Sequence, residues 1–204
     1  MWRSDYFQTV IMILLVVMAV FGFWFGLRLA LNTDYPILAV ASGSMSIAQP
    51  DDGWSHPFDP TLHTGDLIVV QGVETSDIHA ASYPVGDILV FHYGNELIVH
   101  RAVGEEEING QTEFVTQGDG NAVLGLGPGP GSPTPADGVV GKVVLRIPWI
   151  GHLALLMQNG SGTYVTLALI IIILAVLLVL LTSDGKKTKP ENEGIRNQLQ
   201  FREV

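Results

Sequence analysis

Two long apolar stretches enclose a middle region in which apolar residues come only in short runs. The first stretch, 6–26, has no charged residue, and the second, 165–181, is almost entirely Leu, Ile, Val and Ala. At a rise of about 1.5 Å per residue, roughly twenty residues cross the ~30 Å hydrocarbon core of a bilayer. The pattern therefore predicts a transmembrane helix within 1–31 and another within 163–183.

The region between them, 32–162, has the pattern of β-structure. Its apolar runs are short, are bounded by Gly, Asp and Asn, and show no helical period; they lie at 66–71, 87–92, 97–103, 114–117 and 139–147. Tyr93-Gly94-Asn95-Glu96 predicts a hairpin connection. The two-residue period of a strand puts Ile98, His100 and Ala102 on one face and Val99, Arg101 and Val103 on the other. The predicted fold class is mainly β.

Two stretches interrupt the strand pattern and predict long loops, at 46–64 and 120–137. The second contains a Gly/Pro-rich segment, 125–137, in which the sequence predicts neither a regular strand nor a helix. The first holds potential metal ligands at His56, Asp59 and His63, with Asp66 just after it. Their spacing fits no standard site, and the sequence predicts no metal.

Charge is distributed unevenly and predicts an orientation. Net charge is -10, and fifteen acidic residues lie in 32–162 against three basic ones, which argues against nucleic-acid binding. Lys186, Lys187 and Lys189 follow the second apolar stretch, and basic residues next to a span favour the cytoplasmic side. With two spans, both termini are then cytoplasmic, 32–162 lies outside, and 184–204 forms a disordered tail. The chain has no cysteine, which excludes disulfides and cysteine nucleophiles.

A cleaved signal peptide is the alternative for the first apolar stretch. Ala39-Val40-Ala41 resembles the small-x-small pattern that precedes a cleavage site. The apolar run is longer than the core of a typical signal peptide, and Ala41 lies far beyond its end. The pattern therefore favours a retained span.

Ser42-Gly43-Ser44-Met45, directly after the apolar run 35–41, is the first candidate for chemistry. Alone it is typical of a polar turn. The alternative is a nucleophilic serine beside a glycine that lets a substrate approach, and such a serine needs a proton acceptor. His100 lies on a predicted strand, and a histidine with a pKa near 6.5 accepts a proton at neutral pH. Gln117-Gly118-Asp119-Gly120-Asn121 supplies a carboxylate at a glycine turn, either as a plain turn or to orient His100.

Taken together, these motifs resemble a type I signal peptidase of the archaeal and endoplasmic-reticulum kind. The resemblance rests on Ser42–Met45, Gly65–Val69, Gly86–Phe91, Val99–Arg101, Thr116–Asn121, Val139–Lys142 and Pro148–Gly151, which occur in the family's order between the two apolar stretches. It implies a signal-peptidase-like β domain anchored by one N-terminal and one C-terminal transmembrane helix. The implied activity is that of a membrane-bound serine endopeptidase that cleaves signal peptides from exported preproteins after small residues. Its implied partners are these preproteins, the lipid bilayer and the protein-export channel, with no nucleic acid, cofactor or metal.

The resemblance also assigns roles to individual residues. Ser44 is the implied nucleophile, His100 the general base and Asp119 the carboxylate that orients it, while Ser42 and the Ser44 N–H form the oxyanion hole. Relatives often carry a second aspartate at the position of Gly125, and here the acid in the following loop is Asp137, a further catalytic candidate. The substrate is expected to extend along a strand edge at 35–41 or 83–87, with Met45, Tyr83 and Asp87 as binding residues.

Two other functions stay open on the sequence. A non-catalytic, membrane-tethered β domain or an inactive paralogue would have the same anchors and strands, and Gly125 at the second aspartate position keeps this alternative open. A peptidase restricted to a few precursors, such as pilin-like or archaellin-like ones, would share every motif with a general signal peptidase. A cleavage assay separates the first from the proposed enzyme, and substrate profiling separates the second.

Overall fold

The structure, a computed structural model, describes residues 2–48, 54 and 59–158. The predicted second span at 163–183 and the tail at 184–204 lie outside the described residues, as do His56 and part of the loop 46–64.

The first apolar stretch forms a single helix, α1 (Trp2–Ala30). Its segment Val10–Ala30 has a mean hydropathy of 2.8, and none of it is buried inside the protein. Its 21 residues extend for about 32 Å, which suffices for the hydrocarbon core of a bilayer. The predicted N-terminal helix is therefore confirmed, and it has the length and composition of a membrane span. Arg28 in its last turn pairs with Asp34 just beyond it.

Seven strands follow and form one sheet among the described residues. They are β1 (Ile37–Ala39), β2 (Leu67–Gln71), β3 (Ile88–Tyr93), β4 (Glu96–Ile108), β5 (Gln111–Gln117), β6 (Thr134–Pro135) and β7 (Val139–Ile147). Their order across the sheet is β1-β2-β7-β3-β4-β5-β6, and every neighbouring pair is antiparallel. Within the described part of the chain, β1 therefore pairs on one side only, with β2. It includes part of the segment that resembles a signal-peptide cleavage site.

The mainly β prediction is confirmed, and three of its strands agree with β2, β3 and β7 to within a residue. The predicted hairpin connection joins β3 to β4. The strands β4 and β5 are longer than predicted, because a second hairpin extends both of them to Asn109 and Gly110. Both residues have positive φ, 56° and 79°, as a two-residue type I′ turn requires.

The sheet is apolar on both faces, and its strands alternate between two buried clusters. One contains Val40, Met45, Leu62, Ile68, Val70 and Val90, and the other contains Ile78, Leu89, Phe91, Ala102 and Phe114. Within β4, Val99 packs on the first cluster and Ile98 on the second, which agrees with the predicted faces of that strand. Successive side chains of β4 therefore pack into different buried clusters, one on each face of the sheet.

Two predictions about regular structure were wrong. The region 32–162 contains helices α2 (Asp119–Val123) and α3 (Gly151–Gln158), although it shows no helical period. Five to eight residues give one or two turns, which is too short for a period to be visible. The Gly/Pro-rich segment 125–137 contains strand β6, because Thr134 and Pro135 pair with Phe114 and Glu113 of β5.

Candidate active site

The Ser42–Met45 motif forms a tight turn at the end of the edge strand β1. Residues Gly43–Met45 make one turn of 3-10 helix, closed by a 3.0 Å hydrogen bond that the Ser46 N–H donates to the Gly43 carbonyl. Met45 is buried in the first apolar cluster, whereas Ser44 is half-buried and Ser42 is exposed. Burial of Met45 thus fixes the turn, called here the serine turn, while Ser44 stays accessible.

Strand β4 carries His100 into the interior. The imidazole is buried and lies edge-on to Phe91 with ring centroids 6.3 Å apart, and its Nδ1 has no hydrogen-bond partner among the residues that the structure describes. Gly129 packs so closely on the ring that a Cβ at this position would collide with it. Burial lowers the pKa of His100 below its ordinary value, and the nearby charge of Asp119 opposes this shift. His100 is therefore held neutral at neutral pH.

Ser44 and His100 line the same cavity. Its volume is about 290 Å³, and its wall is largely apolar; the lining residues are Ala39, Val40, Ala41, Ser42, Ser44, Met45, Leu97, Ile98, Val99, His100, Asn121 and Pro130. The Oγ atoms of Ser42 and Ser44 are 3.5 Å apart. One cavity thus brings together the predicted nucleophile, the predicted base, the Ser42 hydroxyl and Met45.

Asp119 lies next to this cavity but faces another partner. Its carboxylate accepts hydrogen bonds from the Arg101 Nε (2.8 Å) and Nη2 (2.6 Å) and from the Thr61 hydroxyl (2.7 Å). All three side chains are buried. Among the described residues Asp119 makes no hydrogen bond to His100 and acts on it through its charge. The buried ion pair with Arg101 is therefore the main contact of this carboxylate.

Three other predicted residues lie away from Ser44. Asp137 is exposed and lines a different cavity of about 400 Å³ with Thr75 and Gln111. The Arg101 guanidinium carbon lies over the Tyr83 ring, 5.5 Å from the ring centroid. Asp87 forms an ion pair with Lys142 at 3.1 Å. Neither Tyr83 nor Asp87 lines the cavity of Ser44. The structure thus does not bring these three residues together with the serine turn.

Three of the potential metal ligands, Asp59, His63 and Asp66, lie among the described residues and contact other protein groups. Asp66 accepts a hydrogen bond from the His63 N–H (2.8 Å) and forms an ion pair with Arg146 (2.6 Å). The His63 imidazole is buried, with Nδ1 2.9 Å from the Ser46 hydroxyl and Nε2 3.6 Å from Asp59. These contacts tie the loop to the residue that follows the serine turn.

Sequence reasoning missed two residues that surround the site. Arg101 could have been found, because a cation in a strand of apolar residues must have a buried partner. It donates to Asp119 and also to the carbonyls of Pro60, Pro84 and Gly86. Thr61 gives no such signal, because a threonine in a loop is ordinary and only the fold reveals what its hydroxyl meets.

Comparison with known proteins finds relatives that are named as catalytic subunits of the signal peptidase complex. The chain is 30% identical over 162 residues to the signal peptidase complex catalytic subunit SEC11C of Homo sapiens, which covers 77% of this chain and 74% of the human protein. It is 27% identical over 152 residues to the SEC11 catalytic subunit of Pyricularia oryzae, covering 71% and 77% of the two chains. The SEC11 subunit of Eremothecium gossypii is 32% identical over 111 residues, covering 53% and 55%. No protein-family model matches the chain.

Proposed function

The chain belongs to the type I signal peptidases of the endoplasmic-reticulum and archaeal type, and on that basis we propose that Ser44 and His100 carry out its reaction. It is a serine endopeptidase that removes signal peptides from preproteins. The observation that carries the assignment of the two residues is the cavity they share. A non-catalytic role for this chain is disfavoured, because the relatives of the chain are named as catalytic subunits.

In the first half of the reaction, the Ser44 Oγ attacks the scissile carbonyl carbon and forms an ester. His100 takes the Ser44 proton and gives it to the leaving amine as the peptide C–N bond breaks. Because Nδ1 is enclosed beside Gly129, we assign Nε2 as the nitrogen that faces Ser44. In the second half, water attacks the ester with His100 again as base, and the proton returns to Ser44.

Two features of the site support this chemistry. Burial keeps His100 neutral and able to accept a proton, and the charge of Asp119 stabilises the imidazolium that forms. The oxyanion is held by the Ser44 N–H and the Ser42 hydroxyl, whose oxygen lies 3.5 Å from the Ser44 Oγ. One such donor contributes about 3–4 kcal/mol to the stability of the transition state.

The substrate binds as an extended strand along β1. Among the described strands β1 pairs with β2 alone, and an unpaired edge provides main-chain groups for an added strand. Ala39, Val40 and Ala41 line the cavity, so the residues just before the cut lie against small and branched side chains. The largely apolar wall of the cavity accepts apolar side chains such as that of Ala at the cut.

The membrane places enzyme and substrate in the same layer. In our proposal, α1 and a second span at 163–183 anchor the protein with both termini cytoplasmic and the sheet outside. The support is the composition of α1 and the lysines that follow the second apolar stretch. Anchoring raises the effective concentration of a signal peptide that emerges from the export channel.

The test uses the full chain in detergent with a preprotein that carries a signal peptide. Ser44→Ala and His100→Ala should each lower the cleavage rate by at least about 10³-fold. The matched controls are Ser76→Ala and His79→Ala, exposed residues that do not line the cavity, and both should cleave normally. Full activity of the His100→Ala protein would contradict the assignment of His100 as the general base.

A further inference from the structure

We propose that Thr61 is a positioning residue for the nucleophile, which it holds through the carbonyl of Met45. This proposal rests on the assignment of Ser44 above. Thr61 belongs to the loop between the serine turn and β2 and lines none of the cavity around Ser44. It contacts the serine turn on the side away from the cavity, at the peptide group between Met45 and Ser46.

The contact that carries the proposal is short and buried. The Thr61 Oγ1 lies 2.5 Å from the Met45 carbonyl oxygen and 2.7 Å from the Asp119 Oδ2. Thr61 and Met45 are each 1% exposed, and Asp119 is 3% exposed. A threonine hydroxyl has one proton to donate, so these two acceptors share it. One side chain thereby joins the backbone of the serine turn to the Arg101–Asp119 pair.

The backbone around Thr61 is itself fixed by two arginines. Arg101 donates from Nη2 to the Pro60 carbonyl at 3.1 Å, and Arg146 donates from Nη1 to the carbonyls of Asp59 and Thr61. Charged donors make stronger hydrogen bonds than neutral ones. The Thr61 hydroxyl is therefore presented from a segment that cannot easily shift, as a positioning role requires.

A second contact acts on the other side of the same turn. Gly118, the residue before Asp119, packs directly on the Ser44 carbonyl, so closely that a Cβ there would collide with it. The carbonyls of Ser44 and Met45 thus both meet the protein interior, one at Gly118 and the next at Thr61. With these two groups held, the backbone of Ser44 has little freedom, and its side chain stays in the wall of the cavity.

The experiment compares Thr61→Val, which keeps the shape and removes the hydroxyl, with Thr61→Ser, which keeps the hydroxyl. We expect Thr61→Val to lower kcat by roughly 10- to 100-fold, because displacing a reacting group by about 1 Å costs on the order of 10² in rate. KM should change by less than about twofold, since the β1 edge is untouched. Thr61→Ser should restore kcat to near the wild-type value.

The pH profile distinguishes an effect on Ser44 from an effect on His100. Asp119 keeps both bonds to Arg101 in Thr61→Val, so its charge near His100 is retained. The acid limb of kcat/KM should therefore stay at the wild-type pH. A limb that moves in Thr61→Val would show that Thr61 acts through Asp119 and would overturn the proposal.

The control is Thr33→Val, which also removes a buried hydroxyl. Thr33 accepts a hydrogen bond from the Tyr35 N–H and donates to the Val140 carbonyl, and none of the three lines the cavity. Its kcat should equal that of the wild type. If Thr61→Val does not fold, Thr61→Cys decides, because a thiol is a weak donor and kcat should then fall below that of Thr61→Ser.

Wild-type kcat in Thr61→Val, or an equal loss in Thr61→Val and Thr61→Ser, would overturn the role of the hydroxyl. These outcomes are independent of the proposed nucleophile. Full activity in Ser44→Ala would instead remove the premise, whatever the Thr61 variants do.

Discussion

Gly118→Ala tests whether the Gly-Asp motif supports Ser44, the proposed nucleophile, by close packing. Gly118 has φ -70° and ψ 134°, values that any residue adopts, so backbone strain is not the reason for a glycine here. The reason is space, because a Cβ would lie 3.0 Å from the Ser44 carbonyl carbon and closer still to its oxygen. These two nearest atoms are backbone and cannot rotate away as a flexible side chain would.

The expected magnitude follows from the shift that relieves this collision. Ordinary van der Waals separation requires the Ser44 peptide and Gly118 to move apart by about 1 Å. Overpacking of this kind costs about 1–3 kcal/mol of stability, and the smaller conformational freedom of alanine in the unfolded chain returns about 0.4–1 kcal/mol. The larger effect is on rate, since a misplacement of about 1 Å costs on the order of 10² in kcat.

The assay measures kcat and the free energy of unfolding for Gly118→Ala and Gly104→Ala in the same detergent. Gly104 lies in β4, and a Cβ there would meet only Val115, at 3.7 Å, an ordinary contact. Gly104→Ala should therefore keep the wild-type kcat. Wild-type kcat in Gly118→Ala would refute the argument that the Gly118 contact holds the serine turn.

Two further predictions concern charge. Since burial lowers the pKa of His100, kcat/KM should stay constant from neutral pH to below about 6.5 and fall as pH drops through the lowered pKa. Asp119→Asn should shift this fall in kcat/KM to lower pH, because the charge of Asp119 raises the pKa of His100. If kcat/KM of Asp119→Asn fell at a higher pH than that of the wild type, the assigned effect of Asp119 on His100 would be wrong. Arg101→Met should lower the free energy of unfolding in urea by about 3–5 kcal/mol, because Asp119 would stay buried without its cation. Adding Asp119→Asn to Arg101→Met should cost less than the two single losses together, and strict additivity would argue against their coupling.

The sheet was predictable where single strands carry their own signal. The strands β2, β3 and β7 are apolar runs that each begin directly after a Gly and Asp pair, and their bounds agree with the sequence pattern to within a residue. By contrast, β6 is two residues long and exists because β5 offers it an edge, which no local pattern reveals. The turn at Asn109 and Gly110 did carry a signal, since Asn-Gly between strands is the preferred type I′ pair, and it was overlooked.

For the site, the sequence supplied the side chains that face the cavity but not those behind it. The motifs predict Ser44 and His100 as nucleophile and base, because these two roles require particular side chains. The partner of Asp119 depends on the fold, since Arg101 on β4 and Thr61 in the loop reach it from distant parts of the chain. Asp137 is predicted because relatives carry a second aspartate and Asp137 is the acid in the loop that follows that position; its segment instead lies beside Gln111 at the start of β5.

The most direct test of the central claim is N-terminal sequencing of the product that the purified full chain releases from a signal-peptide-bearing preprotein. The account predicts a single new N-terminus in the mature protein, directly after a small residue, and no such product from Ser44→Ala under the same conditions. The same product from Ser44→Ala at a rate near that of the wild type would contradict it.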